Sequence, residues 1–244
     1  MSRKKIAVYF VEKFWSTAMY DVFFIDVKEP NAEKNYELCK QKAPNVHRIS
    51  GVKGIHQAHQ VAAKLCLTEM MYVVDADAVL VPEFNFNYKV DQYDLDVVHV
   101  WHSRNPINDL EYGYGGVKLF PTLLTRKMDL TTVDMSTSIS NKFKVMPTVS
   151  NVAEFNINNY SAWRSGFREC AKLSAKVIDR QVDTETEKRL DIWCTVGADR
   201  PFGEYAIAGA KAGREFGALN KNTDKMNLIN DYSWLANRFK DDTA

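Results

Sequence analysis

The chain holds only four cysteines in 244 residues, and none forms a C-x-x-C pair. Cys39, Cys66, Cys170 and Cys194 stand far apart, which argues against a zinc ribbon or a redox pair and leaves packed, reduced thiols as the reading. Charge of one sign is lacking too, since the formal net charge is +1. A protein that coats nucleic acid or an acidic membrane by brute charge is thereby disfavoured. No long hydrophobic run is present. The apolar stretch after Met-Ser-Arg-Lys-Lys is too short for a signal peptide or a membrane span, so a soluble, cytoplasmic protein with no membrane partner is expected. Repeats, low-complexity tracts and a clear linker are also missing. One compact domain over 1–244 is expected, with a nucleotide-binding βαβαβ part at 1–84 and an acceptor- and sugar-binding part at 85–244.

What is present is ordinary globular material, 45% hydrophobic and 12% aromatic, enough for a sizeable core. "KIAVYFV" (5–11) and "DVFFIDV" (21–27) read as short buried strands. A helix follows at 32–42, with Asn31 as its cap and Pro44 ending it. "VHRISGV" (46–52) is a third strand, and "GIHQAHQVAAKLCLTEM" (54–70) a helix with Ile55, Ala58, Val61, Ala62 and Leu65 on one stripe. "MYVV" (71–74) then forms the most hydrophobic strand. This alternation predicts an α/β fold of Rossmann type, with a mostly parallel central sheet and flanking helices. Short strands at 95–101 and 117–120, a strand-like 144–156 and helices at 160–175, 184–195, 202–213 and 231–240 make the second half mixed β and helical.

The central strand ends in Asp75-Ala76-Asp77. In open parallel sheets ligands bind at the carboxyl ends of strands, so Asp26 and this pair should line one crevice. Hard carboxylate oxygens with no His or Cys in the motif suit Mn²⁺ or Mg²⁺, and a cation held by one or two carboxylates keeps positions for phosphate oxygens. The alternative is that Asp75 caps a turn and Asp77 is simply exposed. Ahead of the strand, Gly51 and Gly54 loosen a helix entry beside Lys53, where an anion would meet a helix amino terminus; a solvated loop lysine is the other reading. His56 and His59 share a face, either a metal pair or a polar helix face. Charge is also segregated. Nine acids face two bases between Glu69 and Glu111, and nine bases face four acids between Lys118 and Lys176. That contrast suits a site holding a cation beside a polyanion, or solvated faces that differ by chance.

A strand ending in an acid, followed about fifty residues later by a strand ending in Asp-x-Asp, resembles the GT-A nucleotide-sugar glycosyltransferases. The resemblance implies that Asp26 contacts the nucleoside and that Asp75 and Asp77 contact ribose and the metal on the diphosphate. It also implies that "GVKGIHQAH" (51–59) lies along the nucleotide, with Lys53 on phosphate. Over the whole chain, "EPNAEKNYELCKQKAPNVHRISGVKGIHQAH", "YVVDADAVLVPEFNF", "VWHSRNPINDLEYGYGGVKLFPT" and "IWCTVGADRPFGEYAIAGAKAG" are similar to small glycosyltransferase-like proteins encoded by tailed phages. That likeness implies a transferase acting in the host cytoplasm, with a UDP-linked donor and an acceptor such as hydroxymethylcytosine in phage DNA.

Two further stretches fill out the expectation. In "WHSRNPINDLEYGYGGVKLF" (101–120), glycines Gly113, Gly115 and Gly116 permit close backbone approach. Trp101, Tyr112 and Tyr114 offer flat faces, and Arg104, Asn105 and Asn108 add polar groups, so sugar or acceptor binding is expected there; a Gly-rich turn is the alternative. Glu154, between apolar neighbours, is the first candidate base or metal partner. Asp199, next to Arg200, is the second, unless it merely caps a helix. No histidine follows His102, so the late histidine of many GT-A metal sites has no counterpart here. Arg164, Arg168 and Lys172, at i, i+4 and i+8, make a basic stripe that suits a nucleic-acid acceptor or a solvated face. Two rivals remain: a nucleotidyltransferase, against which the lack of glycine near residue 10 counts, and a non-catalytic sugar- or nucleotide-binding module.

Overall fold

A computed structural model describes residues 19–113, 115–177 and 181–243; the expected strand at 5–11 and Tyr114 lie outside them. The first half follows the expected alternation. Strand β1 (Asp21–Asp26) leads to α1 (Ala32–Lys42), β2 (His47–Ser50), α2 (Ile55–Leu65) and β3 (Met70–Asp75). After β3 come β4 (Ala78–Leu80), β5 (Val98–Arg104), β6 (Glu111–Tyr112), β7 (Val117–Pro121), α3 (Thr122–Arg126) and β8 (Phe143–Ala153). The chain ends in α4 (Asn159–Ala175), α5 (Asp183–Thr195), α6 (Gly203–Leu219), a 3-10 turn (Asp224–Asn230) and α7 (Tyr232–Thr243).

The fold is α/β with one mixed sheet in the order β2-β1-β3-β7-β5-β8-β4, and β6 beside β5. Pairing is parallel in β1–β2, β1–β3 and β5–β8. It is antiparallel in β3–β7, β5–β7, β5–β6 and β4–β8. The sheet is therefore mixed where a mostly parallel one was expected, with parallel pairing at the β2-β1-β3 edge and again between β5 and β8. β7 returns directly alongside β3, where a crossover helix would have been needed to keep the sheet parallel.

β3 is central and alternates cleanly between two cores. Met70, Tyr72 and Val74 pack on one face with Val22, Phe24, Trp101 and Leu119. Met71 and Val73 pack on the other with Phe23, Val100, Phe120 and the α2 residues Ala58 and Ala62. Burial on both faces accounts for the unbroken apolar run. On α2 the buried face is His56, Ala58, His59, Ala62 and Ala63, while Ile55 and Leu65 at the edges of the expected stripe are exposed. The histidines thus belong to the packed face, correcting the polar-face reading. α2 stops at Leu65, short of the expected residue 70, because Cys66 turns to extended backbone while its N–H closes on the Ala62 carbonyl.

α4 and α6 pack with almost no gap. A Cβ added at Gly209, Gly213 or Gly217 would collide with the carbonyl of Trp163, Phe167 or Ala171, and one at Gly166 with that of Ala206. Glycine at these points lets the two backbones touch, and this fixes the rotation of α4. No helix among the described residues is long and apolar enough to cross a membrane.

Candidate functional site

The carboxyl ends of β1 and β3 lie side by side, with Ile25 opposite Asp75. Over them opens a cleft of about 840 Å³. It gathers Asp26, Lys53, Asp75 and Asp77 with the first turn of α2, and adds Arg164 and Arg168 from α4 and Asn230–Ser233 from the end of the chain. Asp231 and its neighbours carry no sequence signal for this place, being more than 150 residues from Asp75.

Asp75 is held at both ends by the 115–118 segment. Its N–H donates to the Gly116 carbonyl at 2.9 Å, and Gly116 N–H donates to Oδ2 at 3.2 Å. Lys118 Nζ stands 3.5 Å from the same oxygen. Gly116 has φ +74°, and a Cβ there would strike the Asn151 side chain. Ala76 is buried, and its carbonyl accepts from Asn35 Nδ2 at 2.9 Å. This places Asp77 back over the cleft. Burial, followed by the nearby charges of Asp75 and Glu29, pushes the Asp77 carboxyl up to about 7, with Arg164 and Lys118 acting the other way.

Asp26 borders the cleft from beneath. Its side chain has no exposure and accepts from Arg48 Nε at 2.8 Å, Ser50 Oγ at 2.7 Å and Lys28 N–H at 3.1 Å. Burial works to raise its pKa, and these three donors more than offset it, so the carboxyl stays below the usual range. A carboxylate so fully used inside the protein corrects the expectation of direct nucleoside contact. Lys53 is exposed at the mouth beside Gly54, whose φ of +95° opens α2. Acidic residues are absent from the first turn of α2, leaving its amide donors to an anion.

His59 is buried, and its Nδ1 bonds the Ile55 carbonyl at 2.8 Å, so that nitrogen carries the proton and Nε2 is the acceptor. Among the described residues, Nε2 of both His56 and His59 has no hydrogen-bond partner. Burial depresses both, His59 to about 4.

Other expected site residues fall elsewhere. Trp101 is 3% exposed, its ring 5.5 Å from Tyr72 and 5.8 Å from both Phe84 and Tyr88; it is core, and no sugar can reach its faces. Arg104 points outward and donates to Glu111 at 2.7 Å. Gly115 accepts from Ser103 Oγ at 2.9 Å. Asn105 caps its own loop through Ile107 N–H at 2.8 Å, and neither it nor Asn108 lines the cleft. Glu154 is not an unpaired acid: Asn31 Nδ2 donates to it at 3.0 Å and Lys34 Nζ stands at 3.3 Å. Asn31 accordingly makes no side-chain cap on α1. The Glu154 N–H does reach the Asp77 carbonyl at 2.6 Å, so it braces the motif through the backbone. Asp199 is exposed, lies outside the cleft and does not cap α6, whose N-cap is Phe202.

Among the described residues no three His, Cys, Asp or Glu side chains group closely enough to hold a metal by themselves. The acids that fit a cation are Asp75 and Asp77, two hard-oxygen donors whose mutual repulsion a divalent ion would relieve. Comparison with known proteins finds no family model that matches this chain and no similar curated protein.

Proposed function

We propose that the cleft is the donor site of a metal-dependent glycosyltransferase with GT-A-like architecture, moving a sugar from a nucleoside-diphosphate donor, UDP-linked in the first instance, to an acceptor hydroxyl. The observation that carries this reading is the meeting of Asp75 and Asp77 with Lys53 and the unencumbered amino end of α2 in one cleft. That pairing of acids with anion-binding groups suits a diphosphate bridged to a cation.

Mn²⁺ or Mg²⁺ held by Asp75 and Asp77 would supply charge neutralisation for the departing diphosphate. The chain's own contributions follow from its geometry. Gly116 and Lys118 fix the direction of Asp75, and the buried Ala76 turns Asp77 toward the same space. Lys53 and the α2 amides take up phosphate charge. Asp26 stiffens the nucleoside end of the cleft through Arg48 and Ser50. Glu154 supports Asp77 from behind, so the acceptor base is not assigned to it. Hydroxymethylcytosine in DNA is the first acceptor to test.

A second reading, a non-catalytic nucleotide-binding module, is favoured by one observation: Glu154, the first candidate base, is already paired with Asn31 and Lys34. Mass spectrometry of the products decides. Incubation with UDP-sugars, Mn²⁺ and hydroxymethylcytosine DNA should release UDP and add the mass of one sugar. Release of pyrophosphate would point to nucleotidyl transfer, and tight donor binding with no product would point to the binding module.

A further inference from the structure

The basic stripe on α4 does not survive as a stripe. Lys172 is drawn to Asp134 at 3.5 Å and Glu169 at 3.8 Å. Arg168 donates to the Ile229 carbonyl at 2.8 Å and to Asn230 Oδ1 at 3.0 Å, fastening the end of the 3-10 turn, just before α7, to α4. Arg164, by contrast, is anchored by aromatic rings, with its side chain lining the cleft. It sits over Tyr232 at 4.8 Å and Tyr160 at 5.5 Å from the ring centres, and the Tyr160 hydroxyl donates to the Tyr232 carbonyl at 3.2 Å. No ion pair joins Arg164 to a carboxylate among the described residues. The three cations therefore do different things, and a continuous track for a nucleic-acid backbone is not among them.

We propose that Arg164 is the anion-positioning residue of the cleft, presenting its fork to a diphosphate from a wall built on α4 and the first turn of α7. The identity of the ligand rests on the donor-site reading above; the anion site itself does not. The two aromatic rings hold the guanidinium in place with little loss of its donors, and a planar fork suits phosphate oxygens in pairs. Arg168 fastens the wall through Nε and Nη2, two of its five donors, and borders the same cleft.

The test is calorimetric titration of inorganic pyrophosphate without divalent metal, and of UDP with Mn²⁺. Both go into the wild type, Arg164→Gln, Arg164→Lys and the exposed control Lys240→Gln. Pyrophosphate affinity is expected to fall about tenfold or more in Arg164→Gln, less in Arg164→Lys, and not in the control. Thermal unfolding confirms that the variants fold; should Arg164→Gln fail to fold, Arg164→Lys carries the comparison, since a point charge cannot replace a bidentate fork. Unchanged pyrophosphate binding in the folded Arg164 variants, or none by the wild type, overturns the proposal. Arg164-dependent pyrophosphate binding without UDP binding or sugar transfer sinks the transferase reading and leaves the anion site standing. Equal UDP binding and transfer in wild type and Arg164→Gln does the reverse.

Discussion

Gly116 grips Asp75 from both sides, accepting its N–H at 2.9 Å and donating to its carboxylate at 3.2 Å. The acid that starts the Asp-x-Asp motif is thus aimed by a residue 41 positions later, in the adjacent antiparallel strand's approach. A left-handed backbone and the Asn151 side chain both require glycine at that point. Gly116→Ala should cost about 1–2 kcal/mol from the backbone alone and more from the collision. Chemical denaturation measures the loss, and metal-dependent nucleotide binding should weaken alongside it. Full stability in the variant would mean that the grip is not needed.

Asp26→Asn separates the supporting role of this acid from a ligand-contacting one. With its carboxylate buried and paired to Arg48, neutralising it should destabilise the fold by about 2 kcal/mol, a buried-pair loss discounted for the partly exposed arginine. A lower denaturation midpoint is expected even with no nucleotide present. If stability holds while nucleotide affinity collapses, Asp26 touches the ligand after all.

His59 gives the pH dependence a definite sign. Burial, opposed by the Asp75 charge and the Ile55 carbonyl, lowers its pKa from 6.5 to about 4, with Lys118 and His56 adding to the lowering. Between those values the unfolded chain holds a proton that the folded one refuses. Stability is therefore full above pH 6.5 and falls as pH drops toward 4, by up to about 1.4 kcal/mol per unit from this residue. His56 and His99, also lowered by burial, act in the same direction. Urea denaturation at pH 7.5, 6 and 5 should show the slope, and His59→Leu should flatten part of it. An identical slope in the variant would remove His59 from the explanation.

Residues 19–84 were legible because their signals are local. Period-3.6 and β-rich runs mark α1, α2, β1, β2 and β3, and the strand-end rule points to Asp75, Asp77 and Lys53. Trp101 misled because an aromatic beside glycines looks the same whether it faces solvent or core; only the packing of Tyr72, Phe84 and Tyr88 around it decides. The parallel sheet failed at β7 because its pairing with β3 skips over β4, β5 and β6, and such non-local pairing leaves no periodic trace. Arg164 was visible as a basic residue, yet its separation from Lys172 in role depends on Tyr232, which the chain brings back from 68 residues away.

Contact between α4 and α6 is predicted to hold Arg164 in register with the cleft. Gly213→Ala would place a methyl against the Phe167 carbonyl, and overpacking of this kind costs about 1–3 kcal/mol. A lowered melting temperature with weakened pyrophosphate binding is the expected pair of results. Weakened stability with unaltered anion binding would show that α4 need not be so tightly placed.

The central claim is that Asp75 and Asp77 bind a nucleoside diphosphate through a divalent cation. Its most direct measurement is the calorimetric titration of UDP into wild-type protein and into the Asp75→Asn/Asp77→Asn double variant, each with Mn²⁺ and with chelator. The account predicts strong binding only in the wild type with Mn²⁺, with the chelated and doubly substituted samples both much weaker. Equal UDP binding by all four samples, or no binding by the wild type with Mn²⁺, would contradict it.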